Sequence, residues 1–69
     1  MTKILRISPT HSGGHDAWQV EMDDTCVCVC ASQSSALAYA ERMESLLEKG
    51  GTPCEVVLTH EARPVRIAA

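Results

Sequence analysis

Residues 32–51 read SQSSALAYAERMESLLEKGG, and this stretch has the clearest helical period in the chain. Its apolar side chains recur at steps of three and four residues, which places them on one side of an α-helix. They are Ala36, Tyr39, Ala40, Met43, Leu46 and Leu47. Ser32 is the predicted N-cap, with Ser34 and Ser35 as alternatives, because a serine hydroxyl can accept from the free N–H groups of the first turn. The closing Gly-Gly pair predicts the end of the helix.

Strands are predicted on both sides of this helix. They cover residues 2–8, 17–23, 25–31 and 54–60, and a fifth short strand over 64–69, through Val65 and Ile67, is left open. Residues 8–16 have the composition of a loop, with one proline and two glycines. The order β-β-β-α-β, with or without a further β, predicts an α+β fold. A single helix would pack on one face of a mainly antiparallel sheet of four or five strands.

The register of the second hairpin decides which side chains enter the core. A two-residue turn at Asp23-Asp24 would set the valines of strand 25–31 opposite Val20 and Trp18. The cysteines of that strand would then share the outer face with Gln19 and Glu21. A three-residue turn reverses this, because a slip of one residue exchanges the two faces of a strand. We prefer the arrangement that places the valines in the core.

Length and charge limit the classes of function. The chain has 69 residues, which make one small domain, and its formal net charge is −3, from nine acidic and six basic side chains. An acidic balance argues against a general nucleic-acid-binding protein, since such proteins neutralise phosphates with lysine and arginine. The exception is a basic patch that the two ends of the chain would form together. Its residues are Lys3, Arg6, Arg63 and Arg66.

The first residues and the hydropathy pattern bear on the location of the protein. Residues 1–6 lack the apolar core of a signal peptide, and no run approaches transmembrane length. We therefore expect a cytoplasmic protein of bacterial type with no membrane partner. In that compartment the four cysteines are expected to be thiols.

Three cysteines occur at every second position of the run Cys26-Val27-Cys28-Val29-Cys30. Such residues lie roughly 6.5 Å apart on an extended strand, so three sulfurs cannot converge on one tetrahedral ion. Cys54 and the histidines at positions 11, 15 and 60 would have to complete a metal site, which makes Cys26, Cys28, Cys30 and Cys54 weak candidates for ligands. The favoured interpretation is that cysteine serves as a small hydrophobe. Cys30 is the best candidate for a redox thiol, because it lies near the helix start.

No other motif indicates catalysis or a cofactor. The stretch from His11 to Asp16 contains two glycines but precedes a strand and has no lysine, unlike a phosphate-binding loop. Cysteine, histidine and carboxylate residues are present without the local order that nucleophilic catalysis needs. Trp18 and Tyr39 occupy core-facing positions, so they are not expected to stack on bases. We predict no catalytic residue, no cofactor and no enzymatic activity.

Trp18-x-Val20, Ser32-x-x-Ser35-Ala36 and Ala40 together resemble a group of small bacterial domains of unknown function. Those domains have a Trp-x-Val hairpin, a capped alanine-rich helix and a closing strand. The resemblance covers roughly residues 17–60 and implies a fold but no activity. The chain departs from the pattern in its run of cysteines and in having fewer basic residues.

Strand 25–31 is apolar on both sides, yet one helix can cover only one face of the sheet. An uncovered apolar face indicates a partner. We therefore expect a homodimer that buries the second face, in a non-enzymatic interaction or accessory regulatory module with an unidentified protein partner. Two alternatives remain: nucleic-acid binding through the basic patch, and a thiol or metal protein that uses the four cysteines.

Overall fold

The chain folds in the predicted order β-β-β-α-β. The computed structural model describes residues 2–65. The elements are β1 (Lys3–Ser12), β2 (His15–Met22), β3 (Thr25–Cys30), α1 (Gln33–Lys49) and β4 (Cys54–Leu58). The strands form one sheet in the order β3-β2-β1-β4, in which β1–β2 and β2–β3 are antiparallel and β1–β4 is parallel. One helix against this mixed sheet makes the fold α+β, as predicted.

The helix begins and ends where the sequence predicts. The Ser32 hydroxyl accepts a hydrogen bond from the Ser35 N–H at 3.2 Å, which satisfies one free donor of the first turn. At the other end Gly50 is the C-cap, and Gly51 adopts a φ of +85°, a conformation that glycine reaches without a steric penalty. Between these caps α1 carries the chain from β3 to β4, which lie at opposite edges of the sheet.

The core lies between α1 and one face of the sheet, which we call the helix face. Its fully buried members are Leu5, Ile7, Val20, Ala36 and Ala40. Half-buried side chains pack around them: Trp18, Met22, Cys28, Cys30, Tyr39, Met43, Cys54 and Val56. The predicted helical stripe is correct near its start. The prediction for Leu46 is wrong, because its side chain is 60% exposed.

The first hairpin is longer than predicted. Residues 8–16 were expected to form a loop, but β1 continues to Ser12 and β2 begins at His15. Only Gly13 and Gly14 turn the chain, with φ of +60° and +80°. Positive φ at both central residues gives a two-residue turn whose twist matches that of paired strands. His11 and residues 13–16 are exposed, so the polar composition there reflects a solvated hairpin end, whereas Ser8 and Thr10 are buried.

The second hairpin has the predicted two-residue turn but not the predicted faces. Asp23 and Asp24 both have positive φ, and Met22 pairs with Thr25. The register then shifts at a β-bulge, because Glu21 pairs with Cys26 whereas Val20 pairs with Cys28. The extra residue, Val27, exchanges the two faces on which the side chains of the rest of β3 lie.

This bulge overturns the preferred assignment of valines to the core. Cys28 and Cys30 lie on the helix face, opposite Val20 and Trp18. Val29 lies opposite Gln19 on the other face of the sheet, which we call the outer face. Among the three cysteines of β3, only Cys26 is placed as predicted, opposite Glu21.

The middle of the outer face is covered by the chain itself. Residues 61–65, here called the C-terminal segment, run across it without forming a strand. The Gln19 side-chain amide donates to the Arg63 carbonyl at 3.0 Å, and the Arg63 N–H donates to the Pro9 carbonyl at 3.0 Å. The fifth strand left open over 64–69 does not include Val65, and Ile67 lies outside the described residues.

The close approach of α1 to the sheet predicts a size limit at Ala40. This side chain is fully buried, so Ala40→Leu should lower the free energy of unfolding by about 1–3 kcal/mol through overpacking. Ala38→Leu adds the same volume at an exposed position of the same helix and should change stability by less than about 0.5 kcal/mol. Urea denaturation followed by circular dichroism measures both. Equal effects of the two substitutions would contradict the packing described here.

Candidate functional site

The four cysteines, all thiols, occupy three separate places in the fold. Cys26 lies on the outer-face side of the bulge, opposite Glu21. Cys28 and Cys30 lie together on the helix face of β3. Cys54 begins β4, at the other edge of the sheet, with β2 and β1 between it and β3. The fold therefore does not bring the four predicted candidates into one site.

The Sγ atoms of Cys28 and Cys30 are 3.6 Å apart. Their residues are two positions apart on a strand, where Cα atoms are separated by roughly 6.5 Å, so the side chains lean toward each other. Both are half-buried at an edge of the sheet. Within residues 2–65 they form the one closely spaced pair of thiols.

Burial raises the pKa of the thiols of Cys26, Cys30 and Cys54. Loss of hydration raises the pKa of the Cys30 thiol, and its contact with Cys28 raises it further. Burial also raises the pKa of Cys26 and Cys54, in each case as the largest effect. A redox or nucleophilic cysteine needs the opposite shift, toward thiolate. Cys30 therefore lacks the acidity that its place near the helix start led us to expect.

The basic residues of the predicted patch form ion pairs with carboxylates of the same chain. Lys3 Nζ lies 3.0 Å from Asp23 Oδ2, and this hydrogen bond holds the pKa of Asp23 below its ordinary value. Arg6 lies 3.1 Å from Asp24 Oδ1, and Arg63 approaches the same oxygen at 3.7 Å. The fold does gather these three basic residues beside one turn. Arg66 lies outside the described residues.

A buried ion pair joins the outer face to the C-terminal segment. Glu21 is only 1% exposed, and its Oε1 accepts from Arg63 Nε at 3.0 Å and from Ser8 Oγ at 3.5 Å. Within the described residues, Glu21 Oε2 and Gln19 Oε1 are buried without a hydrogen-bond partner. The alternation of β2 placed Glu21 on the outer face, but no local sequence signal indicated that Arg63 would reach it.

The histidines do not join the thiols. His60 packs edge-to-face against Trp18, with ring centroids 6.2 Å apart. His11 Nε2 lies 3.3 Å from Asp16 Oδ1 on the exposed first hairpin. Within residues 2–65, no group of three or more His, Cys, Asp or Glu side chains is arranged to hold a metal ion.

A shallow depression of about 400 Å³ lies beside the ion-paired side chains. It is lined by Ile4, Arg6, Glu21, Asp23 and Asp24. Most of these side chains already form ion pairs with one another or with Lys3 and Arg63. The depression therefore lies between charged side chains that are already paired with one another.

Comparison with known proteins does not add a family or a function. The chain matches no family model, and neither the curated proteins nor the solved structures include a significant match. In the part of the chain that the structure describes, no helix is long and apolar enough to cross a membrane.

The raised thiol pKa values predict slow alkylation of the native protein. Since the thiolate is the nucleophile, iodoacetamide at pH 8 should modify Cys26, Cys30 and Cys54 more slowly in the folded protein than in urea. The ratio of the two rates should narrow as the pH rises above the folded pKa values, where both forms are thiolates. Mass spectrometry of quenched samples measures each site. A rate ratio independent of pH would contradict the assigned acidity.

The Glu21–Arg63 pair predicts a specific effect on stability. Arg63→Met should lower the free energy of unfolding by about 1–3 kcal/mol, because it leaves a buried carboxylate without its cation. Arg42→Met removes the same group from an exposed helix position and should cost less than about 0.5 kcal/mol. Denaturant unfolding at pH 7 compares the two variants. Equal stability of both would show that the C-terminal segment is not held by this pair.

Proposed function

We propose that this chain is a small non-enzymatic interaction module that acts as a cytoplasmic homodimer. The observation that carries the proposal is the apolar edge of the sheet at β3. Val27 is 37% exposed and Val29 is 41% exposed, and Val29 lies on the outer face, opposite Gln19. Because the C-terminal segment covers the middle of the outer face, the proposed contact is narrower than the whole face expected from the sequence.

The chemistry of β3 favours a second copy of the same chain. Its sequence, TCVCVC, contains no charged residue and no proline, which are two of the features by which proteins protect an edge strand. An uncharged strand meets its own copy without charge repulsion. The edge presents backbone N–H and C=O groups that an antiparallel copy can pair with around a two-fold axis. The bulge at Val27 directs this pairing to Cys28–Cys30.

In such a dimer the two sheets would join into one continuous sheet of eight strands. Val29 of each copy would meet the same residue of the other on the outer face. The opposite edge, β4, is less suited to this contact, because it carries the exposed Glu55. A charge repeated across a two-fold axis would repel itself.

Two features support a role without catalysis. The thiols of Cys26, Cys30 and Cys54 have raised pKa values, which disfavours nucleophilic attack at neutral pH. The polar groups at the shallow depression are engaged in ion pairs with Lys3, Arg6 and Arg63. We infer an accessory or regulatory role in which the dimer presents its exposed surfaces to another protein.

Sedimentation equilibrium between about 5 and 500 μM tests the dimer, over the range in which modest interfaces assemble. The wild type should reach twice the monomer mass, and Val29→Glu should stay monomeric because two carboxylates would face each other across the axis. Leu58→Glu introduces the same charge at the β4 edge, where the side chain is 44% exposed, and should leave the dimer intact. A wild type that is monomeric throughout, or equal loss in both variants, would refute the proposed contact.

A further inference from the structure

The Cys28–Cys30 pair has the geometry of a two-sulfur chelate. The Sγ atoms are 3.6 Å apart, and they belong to one strand of one chain. Two sulfurs bound to a tetrahedral ion at bond lengths of about 2.3 Å lie about 3.8 Å apart, so the observed spacing is already close to that of ligands sharing one ion. Two packed hydrophobic thiols in weak S–H···S contact would show the same spacing. The surroundings of the pair distinguish a binding site from such packing.

The thiol pair has apolar side chains on one side and the free edge of the sheet on the other. Cys30 lies opposite Trp18, and Cys28 lies opposite Val20, so apolar side chains flank both sulfurs along β2. On its other side β3 has no neighbouring strand among residues 2–65, and both cysteines are half-buried rather than enclosed. In a single chain, before β3 pairs with a second copy, an ion can therefore approach from the edge of the sheet and lose most of its water at the sulfurs.

The number of ligands selects the kind of ion. Zinc sites in proteins use three or four protein ligands, and within residues 2–65 no third Cys, His, Asp or Glu joins the pair. Soft thiolates favour soft ions such as Cu(I), which forms two-coordinate complexes with sulfur ligands. We propose that Cys28 and Cys30 together bind one soft d¹⁰ cation, with Cu(I) as the representative, as a bis-thiolate complex within a single chain.

Binding changes the side chains and the protons in a defined way. Cu(I) and two thiols give a Cu(I) bis-thiolate of charge −1 and two protons, which pass to solvent, with no change of oxidation state. A linear S–Cu–S unit separates the sulfurs by up to about 4.6 Å at bonds of about 2.3 Å. The pair must therefore open by roughly 1 Å, which a rotation about one Cα–Cβ bond supplies. Because the thiols must lose protons, affinity rises with pH.

Titration of the reduced full-length protein with Cu(I), in competition with a coloured Cu(I) chelator, tests the site. We expect one ion per chain and quenching of Trp18, the single tryptophan, because it lies directly across from Cys30. The double variant Cys28→Ser, Cys30→Ser should bind at least about a hundredfold more weakly, since both soft ligands are lost. The matched control Cys26→Ser, Cys54→Ser also removes two thiols and should bind within about threefold of wild type.

Two measurements on the wild type keep the test independent of how well the variants fold. X-ray absorption should give two sulfur neighbours around copper, and pH-stat titration should give close to two protons released per ion. Equal affinity of the two double variants, fewer than two sulfur neighbours, or loss of binding in the control variant would each overturn the site. One ion for every two chains would also overturn it, because the pair would then be incomplete without a partner.

Discussion

One extra residue in β3 determines which side chains the helix covers. The tight turn at Asp23-Asp24 sets a register that would place Val27 and Val29 against α1 if the pairing continued without interruption. The bulge at Val27 reverses it, because side chains alternate between the two faces of a strand and one added residue exchanges those faces. The core consequently takes Cys28 and Cys30, and Val29 faces outward. Both the thiol pair and the apolar edge follow from this single irregularity.

The outer face is stabilised differently from the core. Its centre consists of polar side chains, Ser8, Gln19 and Glu21, that are fully or almost fully buried beneath the C-terminal segment. Burying a carboxylate is costly unless a cation and hydrogen bonds compensate, and Arg63 provides both at Glu21. A chain with no phenylalanine, one tryptophan and one tyrosine thus covers its second face with ion pairs and hydrogen bonds. This polar layer confines the exposed apolar surface of that face mainly to its margins.

The local signals in the sequence predicted the limits of α1 and the core face of β2, but not the faces of β3 beyond its bulge. Ser32, the helical stripe through Ala36 and Ala40, and the terminal glycines all act within one helix, so the limits of α1 were predictable. The turn at Asp23-Asp24 was equally local. A bulge carries no residue signature in TCVCVC, so the exchange of cysteine for valine in the core could not be read from periodicity.

Local signals in the sequence also did not predict the contacts at the candidate sites. Lys3, Arg6 and Arg63 were expected to lie together, and they do, but their pairing with Asp23, Asp24 and Glu21 depends on contacts between residues far apart in the chain. The convergence of Cys28 and Cys30 depends on side-chain rotation, which spacing along a strand does not specify. For the first hairpin, Gly13 and Gly14 were visible, but their polar neighbours suggested a loop where the chain forms a two-stranded ribbon.

The parallel pairing of β1 with β4 has a consequence for the order of folding. Both hairpins join neighbouring segments and can form early, whereas Lys3 must wait for Cys54, at the far end of the helical crossover. Closing a loop of that length costs chain entropy before any contact compensates for it. During synthesis on a ribosome, β1 would therefore present a free edge until β4 has emerged. The nascent chain is most exposed to mispairing along that edge, in the interval before its last strand arrives.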